Sequence, residues 1–184
     1  MSKFAFFHAD KNFWFWDKYQ DDIINFVHLL NGDDNNDEIA KFFETIASRE
    51  LAQISLLKPK VCIFVEGNIG AGKTTLINKL TTDHGDKLVQ IPEPLNFWTK
   101  IINVNATESE GKNIFECFYK ALDSPLENRH VFLFELTALF SRFLYICYHL
   151  RYVPSNLFIC ERSFIADRYF FNIYIFFCFY IMLY

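Results

Sequence analysis

The sequence predicts an α/β fold, a layered domain on a parallel sheet with a helical extension before it. Three short apolar runs, Val61-Cys62-Ile63-Phe64-Val65, Leu88-Val89-Gln90-Ile91 and Leu157-Phe158-Ile159-Cys160, alternate with segments of helical periodicity. The first run enters a glycine-rich turn at 67–72 and then a helix, the order of a strand-to-helix unit with a tight turn. Residues 1–58 show no such strand and repeat apolar residues at helical spacing.

The extension reads as two helices. Asp17 to Leu30 carries Ile23, Ile24, Phe26, Val27, Leu29 and Leu30, and the polar run Asn31-Gly32-Asp33-Asp34-Asn35-Asn36 ends it. The second helix starts near Asp37, an N-cap residue type, and runs to about Leu57 with Ile39, Phe43, Ile46, Leu51, Ile54 and Leu57 as its stripe, closed by Pro59. Two roles fit this pair: a hairpin covering apolar surface of the following domain, which we favour, or a partner-binding or substrate-covering extension. The run 61–65 is unpunctuated and β-branched, as expected of a strand buried on both faces. A helix is expected from Lys73 to about Thr82, and further helices around 96–103, 111–122, 129–151 and from near Ser163.

Composition narrows the function. The 184 residues are 52% hydrophobic and 22% charged, which excludes a disordered chain. Eighteen basic against 22 acidic residues exclude a broad basic face for duplex nucleic acid. Five widely spaced cysteines without a C-x-x-C argue against a disulfide framework or a zinc site, and the histidines lack metal-ligand spacing. The N-terminal residues do not form a secretory signal, and Asp10, Asp17, Asp21 and Asp22 oppose a mitochondrial presequence, so a cytoplasmic protein is expected.

The turn after the first strand reads Gly67-Asn68-Ile69-Gly70-Ala71-Gly72-Lys73-Thr74, which fits G-x-x-x-x-G-K-[ST], with Thr75 following. Glycines let the backbone curl so that several N–H groups face one anion, and the helix start adds its positive dipole end. Lys73 can reach the β- and γ-phosphates of a nucleoside triphosphate, and the Thr74 hydroxyl can ligate Mg²⁺. A chance glycine-rich turn would not be expected between a buried strand and a helix.

In an open parallel sheet, ligands bind beyond the carboxyl ends of the strands. The second strand delivers Pro92-Glu93-Pro94, with Trp98 shortly after. A carboxylate held between prolines can take a proton from an attacking hydroxyl, although alone Glu93 reads as a turn acid. The third strand delivers Glu161, placed to hold Mg²⁺ through water, and Arg162, whose fork matches phosphoryl oxygens. Alone, these read as the polar start of a helix; three strand ends with ionic motifs at one edge make coincidence a poor account.

Together these motifs resemble the deoxyribonucleoside kinase family. The resemblance rests on Glu66 to Thr75, Glu93-Pro94 with Trp98, Phe132-x-Phe134 leading to Ser141-Arg142, and Glu161-Arg162-Ser163 with Asp167-Arg168-Tyr169, and covers about residues 60–171. It implies a three-layer P-loop kinase fold, of whose parallel sheet this chain holds about three strands. It implies transfer of the γ-phosphate of ATP, with Mg²⁺, to the 5′-hydroxyl of a deoxynucleoside. Glu93 would then be the base, with Lys73 and Arg162 on the phosphoryl group and Thr74 and Glu161 on the metal. Trp98, Phe134 and Phe171 would line or stack on the base, Tyr119 would meet the sugar, and Glu135, Arg142 and Asp167 would form the polar side of that pocket. For Trp98 and Phe134, core packing is an equally good reading. The implied partners are a nucleoside triphosphate and a deoxynucleoside; a homodimer is compatible with the resemblance.

The sequence departs from the family in two ways. Glu135 stands where the family has a base-reading glutamine, and an ionised carboxylate only accepts hydrogen bonds where an amide also donates. Beyond Tyr169 the family continues into an arginine-rich lid and further strands, whereas this sequence runs Phe-Phe-Asn-Ile-Tyr-Ile-Phe-Phe-Cys-Phe-Tyr-Ile-Met-Leu-Tyr and contains no Arg-x-Arg. The expected organisation is thus an extension (1–58), a kinase-like core (59–171) and an anomalous apolar tail (172–184). At 16 residues, Tyr169–Tyr184 falls short of the roughly 17–25 needed to span a bilayer, so no membrane span is expected. The tail reads best as a truncation or the translation of AT-rich noncoding DNA, ahead of a membrane anchor or a packed substitute for missing strands. A missing lid would lower or abolish transfer, so two alternatives stay open: a non-catalytic nucleotide-binding protein, or a P-loop NTPase that needs no nucleoside.

Overall fold

The computed structural model describes residues 3–32, 36–68, 70–101, 111–122 and 128–163. Its helices are α1 (Lys3–Asn31), α2 (Asn36–Ile54), α3 (Lys73–His84), α4 (Leu95–Trp98), α5 (Ile114–Leu122) and α6 (Asn128–Tyr152), and its strands are β1 (Val61–Val65), β2 (Val89–Ile91) and β3 (Leu157–Glu161). The fold is the α/β one expected, with a parallel three-stranded sheet in the order β1-β3-β2. The chain forms two compact units, Met1–Ile46 with Pro94–Leu144, and Ala47–Glu93 with Tyr145–Tyr184. The helix expected from near Ser163 and the tail at 172–184 lie outside the described residues.

The first unit is helical and aromatic. α1 is longer than its apolar stripe at 17–30 suggests, because no glycine or proline interrupts the chain between Lys3 and Asn31. It buries Phe15, Tyr19, Ile23, Phe26 and Val27 at helical spacing, leaving Ile24 exposed. Phe26 and Phe43 of α2 both pack on Phe140 of α6, with ring centroids 4.3 and 5.3 Å apart. This hydrophobic contact is what the two-helix extension forms in the unit. α5 is capped by Asn113, whose Oδ1 accepts the Glu116 N–H at 2.9 Å while the Glu116 carboxylate accepts the Lys112 N–H at 3.0 Å. The helix expected at 96–103 is the single turn α4; residues 102–110 lie outside the described part.

The second unit holds the sheet. Ile77 of α3 packs with Leu88 and Ile159 in a small core, against which Val65, Leu80 and Leu157 rest. β3 is central and buried through Phe158, Ile159 and Cys160. β1 corrects the expectation of a strand buried on both faces: Val61, Ile63 and Phe64 are 57%, 44% and 37% exposed. The reason is topological, since β1 pairs with β3 on one side and is the edge of the described sheet. A continuous apolar run shows that a strand can be buried, not how many neighbours it has.

α6 is long and apolar enough to cross a bilayer, yet 78% of its most apolar window is buried within the protein, as in a central core helix. Near its end Arg151 reaches Glu50 of α2 at 3.3 Å, and Arg49 donates to the same carboxylate at 2.9 Å. Glu50 is 1% exposed, so its carboxylate takes hydrogen bonds from these arginines in place of water. Glu50→Ala, which leaves two partly exposed arginines without their carboxylate, is expected to lower stability by about 1–2 kcal/mol, read as a reduced urea midpoint with an unchanged m-value.

Candidate phosphate site and aromatic cluster

The second unit assembles the motifs at the sheet's carboxyl edge. Parallel pairing sets Val65 beside Glu161 and Ile91 beside Cys160. The phosphate-loop start, Glu161-Arg162 and Glu93 therefore all leave the sheet at the same end. The loop curls through Gly70 and Gly72 at φ 79° and 81°, values that glycine adopts without strain. Gly72 also caps α3, whose first residues are Lys73 and Thr74. Ile69 is outside the described residues.

Five polar contacts hold this edge together. Thr74 Oγ1 donates to Glu161 Oε2 at 2.7 Å, and Lys73 Nζ lies 3.7 Å from Glu161 Oε1. Lys73 Nζ also donates to the Asn68 carbonyl at 2.9 Å, folding its stem back over the loop, and is only 7% exposed. The Ser163 N–H donates to Glu66 Oε1 at 2.7 Å, which ties the chain after β3 to the chain after β1. Arg162, between Glu161 and Ser163, has φ 65°, unusual for a residue with a side chain, and its N–H donates to the Val65 carbonyl at 3.1 Å. The Thr74 hydroxyl and Glu161 carboxylate are hard oxygen donors of the kind that would suit a magnesium ion. The donor set fits. Glu93 is partly buried, two residues beyond β2.

The first unit holds Trp98, Tyr119, Phe134, Glu135 and Arg142. Trp98 is 2% exposed, its Nε1–H donates to Ser141 Oγ at 2.8 Å, and Ser141 in turn donates to the Ala138 carbonyl at 3.1 Å. The Arg142 guanidinium sits 5.2 Å from the Trp98 ring centroid. Phe134 meets Trp98 edge to face at 5.2 Å, and Phe115 and Phe118 pack on Phe134 at 5.7 and 4.4 Å. Tyr119 is 55% exposed with its ring against Phe115, and Glu135 is partly buried. Asp167 and Phe171 lie outside the described residues.

Trp98, Phe134 and Arg142 are thus brought together, as are Lys73, Thr74 and Glu161. Glu66, Ser141, Phe115 and Phe118 are further residues of these clusters to which the motifs assign no role. The helical spacing of Phe115, Phe118 and Tyr119 was a readable signal for the aromatic face; the Trp98–Ser141 bond, joining positions 43 residues apart, had none.

Comparison with known proteins bears on the same stretch. A sequence model of the deoxynucleoside kinase family matches residues 63–176, more than half of the chain. The chain is 34% identical over 134 residues to a fowlpox virus protein named probable deoxycytidine kinase, covering 68% of this chain and 48% of that protein. It is 32% identical over 122 residues to deoxycytidine kinase 2 of Gallus gallus, covering 59% and 43%. It is 28% identical over 109 residues to the thymidine kinase of Epstein-Barr virus, covering 57% and 18%. The chain therefore spans less than half the length of these curated relatives. No solved structure matches it.

Ser141→Ala leaves the buried Trp98 N–H unpaired, at an expected cost of about 1–3 kcal/mol in urea unfolding, whereas Ser141→Thr keeps the acceptor and most of the stability.

Proposed function

The chain belongs to the deoxynucleoside kinase family, and we propose that it transfers the γ-phosphate of ATP to the 5′-hydroxyl of a deoxyribonucleoside. The observation that carries this is the Lys73–Thr74–Glu161 cluster on a glycine-curled loop, at the same sheet edge that delivers Glu93 and Arg162. The loop N–H groups around Gly67–Gly72 and the start of α3 cradle the donor phosphates, with Lys73 on the β- and γ-oxygens and Thr75 beside them on the first turn. Thr74 and Glu161 would hold Mg²⁺, which would supply positive charge against the phosphates.

In the reaction, the Glu93 carboxylate takes the proton of the 5′-hydroxyl as its oxygen bonds to the γ-phosphorus. The bond from that phosphorus to the bridging oxygen breaks, and ADP leaves with the electron pair. Arg162 meets the developing charge on the transferred group. In this reading the acceptor base is received by Trp98, Phe134 and Phe171, its sugar by Tyr119, and its polar edge by Glu135, Arg142 and Asp167. The family relatives are named for thymidine and deoxycytidine, which supports a pyrimidine deoxynucleoside as acceptor. The free cysteines at 62, 117, 147 and 160 support a reducing compartment, and we place the protein in the cytoplasm.

Phosphorylation of the four deoxynucleosides by the wild type and by Glu93→Ala tests the proposal. We expect product that falls by about 10²–10⁴ in the variant. ATP binding with no Glu93-dependent product for any nucleoside would replace the enzyme with a nucleotide-binding module, and phosphate release without a nucleoside would indicate a simple NTPase. Separately, Glu161→Gln is expected to raise the Mg²⁺ concentration for half-maximal activity by about 10–100-fold, measured by metal titration at saturating ATP.

A further inference from the structure

Trp98 sits on α4, a helix of only four residues with no side-chain cap at its start. A single turn has no stability of its own and takes its orientation from what its faces plug into. One face is Trp98, held by Ser141, Arg142 and Phe134. The other is the preceding residue, Phe97, which is 3% exposed. Phe97 meets two side chains of α1. Phe15 packs on it at 4.8 Å and 55°, and Trp16 stacks almost parallel to it at 5.8 Å and 7°. All these residues belong to one compact unit, while Phe15 and Trp16 precede the family-matched span that begins at residue 63.

We propose that Phe15 and Trp16 are positioning residues for the deoxynucleoside acceptor. Through Phe97 they fix the rotation of α4, and with it the plane in which Trp98 meets the base. The extension is on this view a working part of the acceptor site. The inference rests on the reading of Trp98 as a wall of that site. Removing the aromatic brace leaves Phe97 free to settle towards α1 and lets the turn rotate, so the loss falls on acceptor binding. ATP binds through the other unit and is untouched.

Trp16 is the informative position. Phe15 is fully buried, and its truncation would open a hole in the core. Trp16 is only partly buried and already borders a cavity of about 220 Å³ lined also by Val27, Asn31 and Ile101, so its truncation enlarges an existing opening.

The test uses the full chain, with deoxycytidine and thymidine as acceptor probes and ATP as donor. Trp16→Ala is expected to raise the acceptor KM by about tenfold or more, with the ATP KM unchanged. Trp16→Phe, which keeps a flat ring on Phe97, is expected to restore the wild-type value. Circular dichroism checks the fold; should Trp16→Ala unfold, Trp16→Leu, which fills the space without a stacking face, takes its place with the same expected effect. An unchanged acceptor KM, an equal rise in both KM values, or no rescue by Trp16→Phe overturns the inference and leaves the proposed function standing. A wild type that binds ATP but phosphorylates no nucleoside overturns the proposed function, and this inference with it.

Discussion

The site depends first on the register between β1 and β3. Pairing of Val65 with Glu161 brings the start of the phosphate loop beside the acid that its Thr74 hydroxyl and Lys73 ammonium address. A slip of one residue would send Glu161 to the opposite face of the sheet and leave Lys73 buried without that carboxylate. Two further bonds lock the same register beyond the strand ends: Glu66 accepting from Ser163, and Val65 accepting from Arg162. The packing of Ile77, Leu88 and Ile159 holds α3 on the sheet, so the helix start that presents the loop is fixed by the same small core.

The helical unit solves a different problem. It is built from large rings held in fixed planes. Trp98 is restrained on three sides by chemically distinct contacts: a hydrogen bond to Ser141, the Arg142 guanidinium, and the edge-to-face Phe134 ring. Much of the aromatic content of the described residues packs here. Phe15, Phe26, Phe43, Phe97, Phe115, Phe118, Phe134 and Phe140 all pack within this unit.

The phosphate half was the more legible in sequence because its chemistry is local. Eight consecutive residues carry the loop, and glycine spacing reports backbone geometry directly. The three parallel strands were legible for a similar reason, since each is a short apolar run ending in a polar motif. Burial was not. β1 has the composition of an interior strand, yet it is the edge of the described sheet, because neighbour number is set by topology and not by the run itself. The aromatic half was legible only as candidates. Nothing in the spacing of Trp98 and Ser141, or of Trp16 and Phe97, announces that these side chains meet.

The backbone at Arg162 gives the last link between fold and chemistry. A non-glycine residue at φ 65° costs on the order of 1 kcal/mol or more and persists only where its surroundings over-determine it. Here they do: the Arg162 N–H is engaged by Val65, the preceding residue is the Glu161 that faces Thr74, and the following N–H is held by Glu66. A glycine would relieve the strain but could not carry a guanidinium. The strained residue thus directly follows the acid that strand β3 presents to the loop, at the point where the strand ends.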